Sequence, residues 1–414
     1  MSEAAGIVIL GAGQAGGEVA SELRKLGYTG RVTMIGDEPH VPYRRPPLSK
    51  AYYAGLVSAE ELYVVPLASL EKAKIEFVGG VPATHIDREH KQVNLEDGRS
   101  IPYHKLVIAT GGRARPLPLE GADRPNVFLL RTIDDIERIR ASSKPGARMV
   151  IIGGGFIGLE TASVALKLGL QVTVLEGLPR VLARVTIPEV SAFFERVHRE
   201  AGVDLRTGAQ VAGLEGGERI THVHLTDGSR IEADLVVVGI GLIANTELAE
   251  SAGLVVNNGV IVDEYACTSD PDIVAAGDCT NHPSQYLGRR VRLESVPNAM
   301  EQGKVAANTL LGNKVPYHSV PWFWSDQYDL KLQMVGLSEG FDEFVVRGDL
   351  SDPNTRSFAV FYFKDGHLLS VDAVNKPQEF ILSKKLVAER ARLNPQALTN
   401  EKVPFKTLIA EARA

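Results

Sequence analysis

Two glycine triplets have the residue types and spacing to hold an anion. Gly11, Gly13 and Gly16 in GAGQAG, and Gly153, Gly155 and Gly158 in GGGFIG, share the pattern G-x-G-x-x-G. Each follows an apolar run, and the spacing suits a pyrophosphate. The first glycine turns the chain, the second lets the anion reach the backbone, and the third lets the next helix pack on the strand with its N-terminus aimed at the charge. One such triplet is weak evidence. Here the whole segment from Ile7, IVILGAGQAGGEVASELRKLGYTGRVTMIGDE, recurs from Val150 as VIIGGGFIGLETASVALKLGLQVTVLEG, so two dinucleotide sites are expected. Each copy closes on an acid able to accept bonds from ribose hydroxyls: Asp37 in the first and Glu176 in the second. The alignment sets Gly36 opposite Glu176, with Asp37 one position on and Glu38 also available; Asp37 is favoured. A carboxylate at Glu176 repels a 2′-phosphate, so the second site should prefer NADH over NADPH. Arg180 and Arg184 lie just beyond and would soften that preference, although Arg180 reads as a solvated surface charge.

Both copies read strand, turn, helix, strand, which makes the fold class α/β with two Rossmann-like dinucleotide-binding domains. Between them, KLVIATGG (Lys105 to Gly112) follows an EDG hairpin turn and runs a strand into the Thr110-Gly111 turn. Later, DIVAAGDC (Asp272 to Cys279) reads as a buried strand ending in Gly277 and Asp278, whose carboxylate suits a polyol hydroxyl. In ESVPNAMEQGKVAANTLL (Glu294 to Leu311), Pro297 fits a first helical turn and the Ala-rich run after it favours helix. The remainder has strand patterns at Lys331–Gly336, Phe344–Arg347, Ser357–Lys364 and His367–Val374, with an Asp365-Gly366 hairpin turn, then a cation-rich helix over about 378–392. This predicts a third, C-terminal α+β domain.

Composition excludes several function classes. A formal net charge of −6 in 414 residues argues against gripping nucleic acid phosphates. The opening MSEAAGIVIL lacks a cationic n-region, and the longest apolar stretch, Leu235 to Ala244, is broken by Gly239 and Gly241 and is too short to span a membrane. A cytoplasmic location and no membrane partner are expected. Two cysteines, Cys267 and Cys279, cannot build a disulfide framework, and the histidines lack metal-ligand spacing, so no protein-bound metal is expected.

GAGQAG, ATGG, GGGFIG and AAGD, in that order, resemble the FAD-dependent pyridine nucleotide oxidoreductases, over essentially the whole chain. The resemblance implies an FAD domain from 1–113 and 245–320, an NAD domain at 114–244 inserted into it, and an interface domain at 321–414. Where disulfide reductases of that superfamily carry a cysteine pair, this chain has PYRRPPLSKAY, with Pro46 and Pro47 restricting the backbone before Lys50. Without a dithiol, reduced flavin cannot pass electrons to a disulfide through a protein thiolate. Cys279 reads as a buried structural thiol. PPLSK resembles the oxygenase-coupled, NADH-dependent ferredoxin reductases. That resemblance implies hydride transfer from NADH to FAD, then single electrons to a [2Fe-2S] ferredoxin serving a haem monooxygenase or aromatic-ring dioxygenase. A rubredoxin reductase, an NADH oxidase or peroxide reductase, and a non-enzymatic flavoprotein resembling apoptosis-inducing factor are the alternatives.

By the same resemblance Lys50 lies near the reactive edge of the flavin, and Glu160, at the nicotinamide, pairs with it across two domains. Gly11, Gly13, Ala15, Gly16, Asp37, Ala83, Thr110, Gly111, Arg131, Asp278 and Val296 join Lys50 as FAD contacts. Gly153, Gly155, Ile157, Gly158, Glu160 and Glu176 form the NAD site. Trp322 and Trp324 either pack as core or line the nicotinamide pocket or electron exit. Arg44 and Arg45, then Arg289, Arg290 and Arg292, then Lys384, Lys385, Arg390 and Arg392 are cation clusters suited to an acidic ferredoxin.

Overall fold

The computed structural model describes residues 6–413. Met1–Ala5, half of the opening stretch read for targeting signals, lies outside the described residues. The chain divides into two compact units, each taken by itself. One holds the chain up to Arg45 with Ser58–Arg113 and Leu242–Pro321; the other holds Pro46–Val57, Ala114–Gly241 and the chain from Trp322 onward.

The first unit is built on a parallel sheet in the order Ile273–Ala275, Lys105–Ile108, Ile7–Leu10, Val32–Ile35, Ile75–Val78. Strands covered on both faces need unbroken apolar runs, and IVIL and VTMI are buried at every position. Helix Gln14–Lys25 follows the central strand, and helix Val296–Leu310 carries Pro297 in its first turn under a Ser295 cap. A three-stranded antiparallel sheet, Ala83–Asp87, Gln92–Leu95 and Ser100–Pro102, contains the expected EDG turn.

The second unit repeats the arrangement. Its parallel sheet runs Asp204–Thr207, Gln171–Glu176, Arg148–Ile152, Leu235–Val238, Val127–Leu129, with helix Phe156–Lys167 after the central strand. The same unit contains an antiparallel sheet ordered Trp322–Gln327, Leu330–Gly336, His367–Val374, Phe358–Lys364, Glu343–Arg347. Four of these strands match the sequence expectation to within a residue. Helix Pro377–Ala388 is shorter than the expected 378–392, because Arg390 takes a left-handed φ of 49° and Ala391 N–H returns to the Leu386 carbonyl at 2.9 Å. Arg347, buried at the end of its strand, ties down the chain after that helix. It donates to Glu379 Oε1 and to the Leu398, Asn400 and Val403 carbonyls. No helix among the described residues is long and apolar enough to cross a membrane.

Candidate active site

The two glycine turns have the same local geometry. Gly11 (φ 110°) and Gly153 (φ 116°) take backbone conformations that side chains rarely adopt. A Cβ on Gly16 or Gly158 would lie 2.0 Å from the carbonyl oxygen of its own first glycine, whereas one on Gly13 or Gly155 would meet nothing within 4 Å. Close packing is thus confined to the first and third glycines, and the space over the second is left for a ligand. Both fingerprint helices start without a side-chain cap. By contrast, helix Ile133–Ser142 closes its first turn with a reciprocal Thr132–Asp135 box. The bare N–H groups at the fingerprint helices are what an anion would satisfy. Gln14 Oε1, buried at the start of the first helix, has no hydrogen-bond partner among the described residues. These features fit a dinucleotide at each turn.

Around the first turn, several predicted residues converge. A Cβ on Gly277 (φ 89°) would come within 3.0 Å of Ala15 Cβ, which sets the Asp278 turn against the fingerprint helix. Gln302, on helix Val296–Leu310, accepts from Gly277 N–H at 2.7 Å and from the Thr280 hydroxyl at 2.8 Å. Val296 opens that helix. The Thr110 hydroxyl donates to the Asn245 carbonyl at 2.6 Å and Asn245 N–H bonds the Gly111 carbonyl at 3.0 Å, a clamp in which Asn245 was not anticipated. Leu10 pairs with Ile35 in the first unit and Ile152 with Leu175 in the second, so Gly36 and Glu176 are the next residues at equivalent positions of the two repeats. Asp37 is exposed, while Glu38 is engaged by Arg45 (2.6 Å) and Tyr43 (2.5 Å). Val81 N–H bonds the Gly36 carbonyl at 3.2 Å, so Ala83 starts its strand two residues from the Asp37 corner.

At the second turn, Glu176 accepts from Gly154 N–H at 2.6 Å and Leu178 N–H at 2.8 Å, which fixes its carboxylate beside the cradle. Ile157 is partly exposed on the first helical turn. Arg180 is not a free surface charge. It donates to Ser191 Oγ at 2.7 Å and the Ala183 carbonyl at 2.8 Å, so its guanidinium organises the loop after Glu176; Arg184 is exposed.

Glu160, on the fingerprint helix of the second unit, is only 2% exposed and accepts three hydrogen bonds. Lys50 Nζ donates to Oε2 at 2.7 Å, Ser49 Oγ to the same atom at 2.6 Å, and Ser325 Oγ to Oε1 at 2.7 Å. The pair expected to join two domains lies inside one compact unit, because Pro46–Val57 groups with the second unit. Pro46–Ser49 forms a 3-10 turn, Lys50 Nζ also reaches the Pro46 carbonyl at 3.1 Å, and Tyr52 and Tyr53 hydrogen-bond Glu137 and Ser143. Behind Ser325 stand Gln327, His198 and Tyr328, each bonded to the next. Ser49 belongs to PPLSK without being singled out there, Ser325, Gln327 and His198 carry no motif, and only the fold shows the four together.

Arg131 precedes the Thr132 cap, its N–H bonding Asp135 at 3.0 Å. Trp322 and Trp324 stack at 5.5 Å, with Lys384 Nζ 3.9 Å from the Trp322 ring centroid. Cys279 is fully buried, its thiol directed at the Ile108 and Ala276 carbonyls and its pKa pushed up by burial, as a structural thiol requires. Part of the expected cationic surface is committed internally: Arg290 to the Val262 and Asn281 carbonyls, Arg292 to Glu294, Arg45 to Glu38.

Residues 5–303 match the pyridine nucleotide-disulphide oxidoreductase family and residues 322–409 match the reductase C-terminal family. The chain belongs to the pyridine nucleotide-disulphide oxidoreductase family. It is 49% identical to putidaredoxin reductase CamA of Pseudomonas putida, over 99% of this chain and 97% of that protein. It is 43% identical to rhodocoxin reductase of Rhodococcus erythropolis, over 98% and 94%. Among solved structures it superposes on the covalent putidaredoxin reductase–putidaredoxin complex with a TM-score of 0.95, at 48% identity and covering 99% of each chain.

Proposed function

We propose that this chain is an NADH-dependent ferredoxin reductase that passes single electrons to a [2Fe-2S] ferredoxin of an oxygenase system. The observation that carries the reading is the Pro46–Lys50 turn. At the position where a dithiol would commit the enzyme to disulfides, Ser49 and Lys50 instead donate to the buried carboxylate of Glu160. The full-length likeness to reductases named for putidaredoxin and rhodocoxin supports it.

FAD, when bound, supplies the conversion of a two-electron hydride into one-electron steps. The first unit would hold it through Gly11, Gly13, Ala15 and Gly16 at the pyrophosphate and Asp37 at the adenosine ribose. Ala83 would lie at the adenine, Thr110, Gly111 and Asp278 along the polyol, and Val296 at the flavin, where the helix N-terminus opposes negative charge. The second unit binds NADH: Gly153, Gly155, Ile157 and Gly158 receive the pyrophosphate and Glu176 the ribose hydroxyls. Glu160, held by Ser49, Lys50 and Ser325, orients the nicotinamide end. A cytoplasmic location follows from a reductant drawn from the NADH pool.

Stopped-flow mixing of the purified yellow protein with NADH, followed by mixing with candidate ferredoxins, tests this. Rapid bleaching with slow reoxidation by air and fast reoxidation by a [2Fe-2S] ferredoxin is expected. Fast turnover with oxygen or peroxide alone would reject it, and a preference for rubredoxin would reassign the partner.

A further inference from the structure

Glu160 dictates the sense of every hydrogen bond behind it. A carboxylate only accepts, so Ser325 donates to Oε1 at 2.7 Å. The Ser325 oxygen then offers Gln327 only lone pairs, and Gln327 must present Nε2, at 3.1 Å. That turns Gln327 Oε1 toward His198, whose Nε2 must carry a proton, at 2.9 Å. A neutral ring protonated on Nε2 has a lone pair on Nδ1, and the Tyr328 hydroxyl at 3.1 Å donates into it. Ser325, Gln327 and His198 are each 1% exposed or less, so water does not relax the constraint. Burial pushes the His198 pKa down to about 4, which keeps the ring neutral.

We propose that Gln327 and His198 are positioning residues for hydride delivery, holding Glu160 through a one-directional chain Tyr328→His198→Gln327→Ser325→Glu160. With Oε1 taken by Ser325, Oε2 is left to Ser49 and Lys50, and the carboxylate plane is set. The inference rests on the reading of Glu160 as the residue that orients nicotinamide.

Nitrogen NMR of the holoenzyme labelled at histidine nitrogens reads the chain directly. His198 is expected as the Nε2–H tautomer. In Glu160→Gln the terminal amide can donate as well as accept, so an Nδ1–H population should appear at His198. Ser325→Ala, and Gln327→Glu, which can accept from His198 but cannot donate to Ser325, should each slow flavin reduction by NADH about tenfold, with FAD content unchanged. Wild-type reduction rates in both, with Glu160→Gln slowed, would overturn the proposal, as would an Nδ1–H tautomer in the unsubstituted protein. Wild-type reduction in Glu160→Gln itself would remove the earlier reading of Glu160 and the hydride role with it. In that case a His198 signal that still responds to Glu160→Gln would uphold the directed chain alone.

Discussion

Lys50 and Ser49 share one oxygen of Glu160 and Ser325 holds the other, so removing the carboxylate strands a half-buried ammonium and two hydroxyls. Glu160→Ala should leave FAD content unchanged while weakening NADH affinity or slowing flavin reduction by roughly tenfold or more; absorbance and stopped-flow traces separate the two effects. Glu176 does different work. Pinned by Gly154 and Leu178 N–H groups, it is aimed before any ligand arrives, so Glu176→Ala should narrow the preference for NADH over NADPH by about tenfold, read as the ratio of the two kcat/KM values. Lys50, Glu160 and Glu176 were legible in the sequence because motifs surround them. Ser49 was visible only as a letter inside PPLSK. Ser325 and Gln327 were not legible at all, because their partners Glu160 and His198 lie 165 and 129 positions away, on helices that only tertiary packing sets against this strand. Arg180 misled for the same reason, since its partner Ser191 sits on a later helix.

Within one turn the same substitution should have opposite consequences. Gly158→Ala drives a methyl to 2.0 Å from the Gly153 carbonyl and must push helix from strand, whereas Gly155→Ala meets no protein atom. Gly155→Ala should therefore keep the unfolding temperature and lose NADH affinity, and Gly158→Ala should lose both; thermal melts with and without NADH decide it. Equal melting temperatures for the two would show that the third glycine is not a packing constraint. Such elements were readable because parallel strands buried on both faces leave a simple apolar signature. The strand Trp322–Gln327 was not, since WFWSDQ has no clear alternation and its pairing with Leu330–Gly336 places polar Ser325 and Gln327 inside. The end of helix Pro377–Ala388 was missed because it depends on a left-handed Arg390, which no residue-type preference announces.

At the scale of the molecule, buried charge links stability to pH. Asp372, which accepts from Tyr362 and Thr186 hydroxyls, has its pKa pushed up to about 7 by burial. A raised carboxyl favours the folded state most at low pH, and that contribution fades as pH climbs from about 4 through about 7. His198, depressed to about 4, acts in the opposite sense, its contribution fading as pH falls from 6.5 toward that value. Asp372→Asn should flatten the alkaline loss, seen as a smaller fall in melting temperature between mildly acidic and alkaline buffer. Arg347→Ala removes four donated bonds and leaves Glu379 buried, so it should destabilise the C-terminal region by about 3–5 kcal/mol, measured by denaturant titration. The inserted turn Pro46–Val57 has a further consequence for how the protein is made. On the ribosome Lys50 emerges 110 positions ahead of Glu160, so the second unit cannot mature around its own early piece until much later synthesis is done. A fragment translated from Ala114 onward would leave Glu160 without Ser49 and Lys50; adding back a synthetic peptide of Pro46–Val57 is a direct route to restoring them.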